Sequence, residues 1–379
     1  MLGAVKLLIA PDKFKGSLPA HAVAEALAQG WKSVFPMADC TFAPIADGGE
    51  GFCEAFARAL GGAWIRLPTV DALGRPIEGR YLWVESEATA VLEMSEASGL
   101  WRIAPEDRDP SRANTFGTGL LMRHAIERGA RRIFVGLGGS ATTDGGVGMA
   151  AALGVRFLRE DGRGELEALP ANLPALGRID VSGAVALPEI VAACDVQNPL
   201  LGARGCAAVY APQKGADAQT VRFLEAALAH LAGVVTRDLG CDPREVSGAG
   251  AAGGIGFGLL AFCGASMEPG FDLVAKAVGL EERVRAADVV LTGEGRVDLQ
   301  TLEGKGPAGV ASLARAHGRP VIAFAGSVEE HPALDAHFDA IVPVIDRAVS
   351  LEEAMQNAAP FLQRAAARAA RFVRLPTIL

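Results

Sequence analysis

The sequence predicts an α/β protein of two α/β domains with an inter-domain active-site cleft, one domain being discontinuous. Three observations carry that expectation. Six apolar runs of strand length each open into a loop rich in Gly, Asp, Asn or Lys, and open α/β sheets present ligand sites beyond the carboxyl ends of their strands. The chain has 379 residues, half of them hydrophobic, which is enough for more than one core. Residues 64–93 alternate and turn as antiparallel strands do, whereas β-α alternation resumes from about 112 and again after 285. The first domain is therefore expected from 1–65 plus 285–379. Residues 66–284 form an inserted second α/β domain with a mixed sheet.

In chain order, VKLLIA runs into PDKFKGS (11–17), and SLPAHAVAEALAQGWKSVF (17–35) follows as an amphipathic helix. Ser17 is expected near its N-cap, with Pro19 in the first turn. TFAPIA then opens into DGGEG (47–51). Pro68, Gly74, Pro76 and Gly79 punctuate the antiparallel stretch. IFVGLGGSATTDGGVG (133–148) passes from a β-type run into glycines, hydroxyls and one carboxylate, Asp144. EIVAAC opens into DVQNP (195–199), AAVYA into PQKG (212–215) and ADVVL into TGEGRVD (292–298). Segment 247–267, SGAGAAGGIGFGLLAFCGASM, is uncharged but glycine-rich and lacks aromatic belts and basic flanks. It reads as a buried loop leading into the helix GLLAFCGA.

The 133–148 loop is built to hold an anion. Glycine admits positive φ, so successive N–H groups can face a ligand closely, and the start of a following helix adds its positive dipole end. Lysine usage points the same way. Of 36 basic residues only seven are lysine, and four of these, Lys13, Lys15, Lys214 and Lys305, stand in glycine-containing loops. A compact ammonium on a flexible stem suits a point contact with a phosphate.

Composition excludes other classes. A net charge of −8 argues against a nucleic-acid partner. Six cysteines without a CxxC pair or zinc-type His spacing read as reduced thiols. MLGAVKLLIAPDKF lacks a secretory pattern and reads as a first strand, so a cytoplasmic protein with no membrane partner is expected. A homo-oligomer is compatible with the sequence.

Familiar nucleotide and hydrolase signatures fit poorly. There is no GxxxxGK[ST] and no GxSxG. GAGAAG (248–253) lacks a preceding strand, and GLGGSA (136–141) is followed by TTDGG where a dinucleotide fold needs a helix. Carboxylates, lysines and glycine loops without loop His or Cys suit phosphoryl transfer, which needs metal ligands, γ-phosphate donors and a carboxylate for the acceptor's proton.

Jointly, IAPDKFKGS, ADGGEGF, GLGGSATTDGGVGMAAALG, CDVQNPLLGARGCAAVYAPQKGA, GAGAAGGIGFG and LTGEGRVDLQTLEGKGPAGVA resemble the bacterial type I glycerate kinases, in order and over nearly the whole chain. Cys206 stands where a small residue such as alanine is expected. The resemblance implies transfer of the γ-phosphoryl of ATP, with Mg²⁺, to the small-molecule substrate D-glycerate, mostly giving 2-phosphoglycerate. It also implies two α/β domains, the first formed by both chain ends.

Within that chemistry, Gly138, Gly139, Ser140 and Thr142 are expected to contact nucleotide phosphates. Asp195 is the expected general base, with Lys15 and Lys214 neutralising the moving phosphoryl group. Asp47, Asn198, Lys13 and Lys305 are assigned to substrate, and Asp298, Glu294, Asp144 and Glu50 to metal. The alternatives are the same kinase making 3-phosphoglycerate, a NAD-dependent hydroxy-acid oxidoreductase, and a non-catalytic sugar-acid sensor.

Overall fold

A computed structural model of the chain describes residues 5–43, 45–46, 48–302 and 306–374. In chain order its strands are β1 (Lys6–Ile9), β2 (Asp39–Phe42), β3 (Ala63–Val70), β4 (Pro76–Val84), β5 (Thr89–Glu93), β6 (Arg132–Gly136) and β7 (Arg156–Arg159). These are followed by β8 (Leu176–Asp180), β9 (Glu189–Ala193), β10 (Ser266–Glu268), β11 (Val289–Val297), β12 (Val321–Val328) and β13 (Ala340–Pro343). The chain divides into two units, Met1–Asp47 with Phe271–Leu379, and Gly48–Gly270. The pattern-based boundaries lay at 65/66 and 284/285. The helix Phe52–Leu60 goes with the second unit because the amides of Gly51 and Cys53 bond to Glu93 at the end of β5.

The first unit is a parallel sheet in the order β13-β12-β11-β1-β2. Its strands are short apolar runs, with Leu7, Leu8 and Ile9 fully buried, as expected for strands covered on both faces. Helices Ala20–Lys32 and Ala358–Arg374 pack against one another at the core containing Trp31, Phe324 and Phe361. Gly30 makes their approach close, since a Cβ there would fall 2.1 Å from the Gln363 carbonyl oxygen. The first helix is capped by Pro19 without a side-chain bond. Ser17, the expected cap, instead donates its hydroxyl to the Met355 carbonyl at 2.7 Å.

The second unit carries a mixed sheet, β10-β9-β6-β5-β4-β3, as the sequence pattern indicated. β3, β4 and β5 pair antiparallel, whereas β5, β6, β9 and β10 run parallel. The β3–β4 turn is set by Asp71, whose carboxylate accepts the amides of Leu73 and Arg75 at 2.9 Å, with Gly74 at φ +81°. The long helix Ala218–Leu239 starts under an Asp217 cap bonded to the Thr220 amide and stops at left-handed Gly240.

Two runs fold differently from their pattern. AAVYA is not a strand but lies in the short helix Cys206–Tyr210, an outcome alanine favours once no strand partner is supplied. TGEGRVD is not loop until Asp298, because β12 pairs alongside β11 as far as Val297–Val328. No helix among the described residues is long and apolar enough to cross a membrane.

Candidate active site

In the first unit, the loops leaving β1 and β11 emerge side by side because those strands are parallel neighbours. Together with β12 and β13 they line a cavity of about 620 Å³ holding Asp12, Lys13, Lys15, Glu294, Asp298 and Thr301. Asp12 is buried and its amide donates to the Gly293 carbonyl at 2.8 Å, continuing the β1–β11 ladder. Lys13 Nζ stands 3.8 Å from Asp12 Oδ1, and Lys15 is exposed. Thr301 ties the two acids together. Its hydroxyl donates to Glu294 Oε1 at 2.7 Å and accepts from the Asp298 amide at 3.1 Å. Asp298 also pairs with Arg296 at 3.0 Å.

In the second unit, Glu93, Gly136 and Ala193 stand in register at the carboxyl ends of three adjacent parallel strands. The loops that follow share one edge of the sheet. Gly48 and Gly49 lie over that edge: the Gly138 amide donates to the Gly48 carbonyl at 3.3 Å, and a Cβ on Gly138 would fall 2.4 Å from Gly49 Cα. Gly139 takes φ +75°. The DGGEG and GLGGS segments are thus glycine-rich because two backbones pass at a distance no side chain allows.

Lys214 is the central cation of this group. It is only 2% exposed, and its Nζ donates to Ser140 Oγ at 3.0 Å and to the Thr142 carbonyl at 2.5 Å. Burial pulls its ammonium down to about 8, against the partial opposition of Cys206 and Asp144. Asp144, expected among the metal ligands, is fully buried. Its oxygens accept from the Thr115 amide and hydroxyl and from the amides of Gly146 and Gly148, at 2.7–3.1 Å. Burial raises its pKa in spite of those four bonds. This arrangement braces the start of helix Val147–Ala152 and leaves the carboxylate facing inward.

The far side of the loop is locked by residues 252–254, three consecutive left-handed residues. Ser140 Oγ donates to the Ala252 carbonyl at 3.0 Å and the Gly145 amide to the Gly253 carbonyl at 3.1 Å. A Cβ at Gly253 would sit 1.7 Å from the Thr142 oxygen.

Asp195 follows β9 and its Oδ1 accepts the Gly270 amide at 3.0 Å. Asn198 uses both ends of its amide within the same loop, donating to the Arg204 carbonyl and accepting from Tyr210, each at 2.7 Å. It therefore shapes that loop. Glu50 is exposed. Asp47 and Lys305 lie outside the described residues.

The assigned residues thus fall into two groups. Lys13, Lys15, Glu294 and Asp298 line the first unit's cavity, whereas Gly138, Gly139, Ser140, Thr142, Asp144, Lys214, Asp195, Asn198 and Glu50 belong to the second unit. No cluster of three or more His, Cys, Asp or Glu suited to a metal occurs among the described residues.

Sequence reasoning missed Asp12, Thr301 and Glu93. Asp12 was visible in PDKFKGS, but Glu93 sits inside the apolar VLEM run, where nothing marks it as buried polar. Its Oε1 accepts the amides of Gly51 at 3.2 Å and Cys53 at 3.0 Å, and burial drives its pKa up to about 8.

A family model described as the glycerate kinase family matches residues 7–374. The glycerate kinase of Halalkalibacterium halodurans is 43% identical over 365 residues, covering 95% of this chain and 96% of its own. The glycerate 2-kinase of Escherichia coli K12 is 40% identical over 359 residues, covering 93% and 94%. A crystal structure of a Salmonella typhimurium LT2 protein assigned to glycerate kinase 2 superposes with a TM-score of 0.87 at 41% identity, covering 98% of this chain and 99% of that one.

Proposed function

The chain belongs to the glycerate kinase family, and on that premise we propose the reaction in full: ATP donates its γ-phosphoryl group to the 2-hydroxyl of D-glycerate, yielding 2-phosphoglycerate and ADP. The observation that carries this reading is the buried ammonium of Lys214 on Ser140 and Thr142 of the glycine loop. A buried cation is costly unless countered, and a polyphosphate at this loop supplies the missing negative charge. In the loose transition state of phosphoryl transfer, charge spreads over the equatorial oxygens, and a fixed ammonium stabilises it without reorganising.

Asp195 is assigned to accept the acceptor hydroxyl's proton, because a carboxylate at a parallel strand end is held by the backbone that follows it. Lys13 and Lys15 are the ammonium groups of the first unit's cavity assigned to the substrate carboxylate, each by a local point contact. Glu294 and Asp298, linked by Thr301, suit Mg²⁺, which binds through one or two carboxylates plus substrate phosphates and waters rather than through an all-protein cage. When bound there, the ion would neutralise charge on the transferring phosphate. Support for the 2-position comes from the Escherichia coli relative, which bears the name glycerate 2-kinase. Six free thiols support a cytoplasmic setting.

The test is ³¹P NMR of the purified protein with ATP, Mg²⁺ and D-glycerate. ADP with a 2-phosphoglycerate resonance is the expected outcome. A 3-phosphoglycerate resonance would reassign the hydroxyl, and binding of NADH in place of ATP would overturn phosphoryl transfer.

A further inference from the structure

Trp101 is 67% exposed, yet it is held in place. Its indole Nε1 donates to the Ser95 carbonyl at 3.1 Å, and the Arg102 guanidinium lies over the ring, 4.3 Å from its centroid. Arg102 is itself tied to the Glu78 carbonyl at 3.3 Å and the Glu96 carboxylate at 3.5 Å. Gly99 leaves room for the ring, since a Cβ there would come within 2.8 Å of Nε1. The other tryptophans are placed differently: Trp31 and Trp83 are buried, and Trp64 is half-buried under Arg80.

The segment that presents Trp101 is stitched to the glycine loop. The Leu100 amide donates to the Gly139 carbonyl at 2.8 Å, and Gly99 pairs with Ser140 in an antiparallel bridge. Ser140 is the residue that receives Lys214. An anchored indole therefore stands beside the loop assigned to the nucleotide phosphates. A large ring left in water gains little from burial, and its hydrogen bond to Ser95 and the Arg102 guanidinium offset the entropy of holding it in one orientation, so the ring is pre-ordered for a partner. With a guanidinium on one face, the ring offers its other face to a flat, electron-poor heterocycle.

We propose that Trp101 is the stacking platform for the purine ring of the nucleotide. The inference rests on the phosphoryl-transfer reading and adds the subsite for the base. Stacking of a base on an aromatic side chain contributes about 1–3 kcal/mol, equivalent to roughly 5- to 150-fold in affinity.

The experiment compares the wild-type protein with Trp101→Ala and Trp101→Phe, using calorimetric titration of ATP and ADP with Mg²⁺, tryptophan emission, and inhibition by inorganic tripolyphosphate. Wild-type emission should change on adding ADP, and that change should vanish in both variants. Trp101→Ala should weaken ATP binding about 5- to 150-fold and raise KM for ATP more than it lowers kcat. Trp101→Phe should restore most of the affinity, and inhibition by tripolyphosphate, which has no base, should be equal in all three proteins. Unchanged ATP affinity in Trp101→Ala overturns the platform and leaves the kinase reading standing. A shift in oligomeric state with ATP affinity unchanged assigns the ring to a protein interface and overturns it equally. Failure of the wild type to bind ATP would remove the phosphoryl-transfer reading and the platform with it.

Discussion

Lys214 and Glu93 are both buried beside the glycine loops, and burial pushes their pKa values in opposite directions toward about 8. The ammonium is required charged, so kcat/KM should fall as pH rises through about 8, with the limb absent in Lys214→Ala. That variant should also lose roughly 2–4 kcal/mol of transition-state stabilisation, about 30- to 1000-fold in kcat/KM, in steady-state assays. Glu93 speaks to stability instead. Its folded pKa is raised, so the stability it contributes is complete below its ordinary range near 4.5 and is lost as pH rises toward 8. Glu93→Gln keeps the acceptor for Gly51 and Cys53 but has no proton to lose. Melting curves should show the variant gaining on the wild type by up to about 1 kcal/mol per pH unit between pH 5 and 8, with parity near pH 4. A constant difference across that range would show that Glu93 keeps an ordinary pKa. Neither residue was equally legible beforehand: Lys214 stood out as a rare lysine in PQKG, whereas Glu93 was hidden among apolar neighbours.

At the scale of elements, close backbone approach organises both units. Helices Ala20–Lys32 and Ala358–Arg374 meet at Gly30, where a methyl group would reach within 2.1 Å of the Gln363 carbonyl. Gly30→Ala should cost about 1–3 kcal/mol in denaturant unfolding, as overpacking does, despite alanine's better helix propensity. An unchanged midpoint would mean the helices can slide apart freely. The lock over the glycine loop is more demanding still, because Ala252 takes φ +53° without being glycine. That strained backbone keeps its carbonyl on Ser140, the residue that links Lys214, the Gly99 bridge and the loop. Apolar periodicity marked most of these strands and helices correctly. It failed for AAVYA, which folds as helix, and for GEGRV, which stays in β11, because pairing partners rather than local pattern decide both.

For the whole molecule, the proposed roles are spread over residues of the first unit, such as Glu294 and Asp298, and of the second, such as Lys214 and Asp195. Glu294→Gln in the first unit should lower turnover as Lys214→Ala does in the second. Its signature should differ: the Mg²⁺ concentration for half-maximal rate should rise on the order of tenfold or more. An unaltered Mg²⁺ profile would move the metal away from Glu294. The sequence by itself determined the α/β class and the kinase family, and it marked the glycine- and lysine-bearing loops to which the reaction is assigned as a proposal. It could do so because strand periodicity, glycine runs and scarce lysines are local chemical facts about neighbouring residues. Only the tertiary structure decided which polar groups are already spent on the protein's own hydrogen bonds. Asp144 and Asn198 looked like ligands, yet their oxygens and amides are spent on the Thr115, Gly146 and Gly148 donors and on Tyr210 and Arg204. Asp12 and Glu93 were passed over, yet they sit at strand ends beside the expected residues. Some of these partners, Thr115 for Asp144 and Gly51 and Cys53 for Glu93, come from distant stretches of chain, and even the nearer ones depend on the loop's folded path. Whether a carboxylate is free to bind or already satisfied is therefore settled only when the chain has folded.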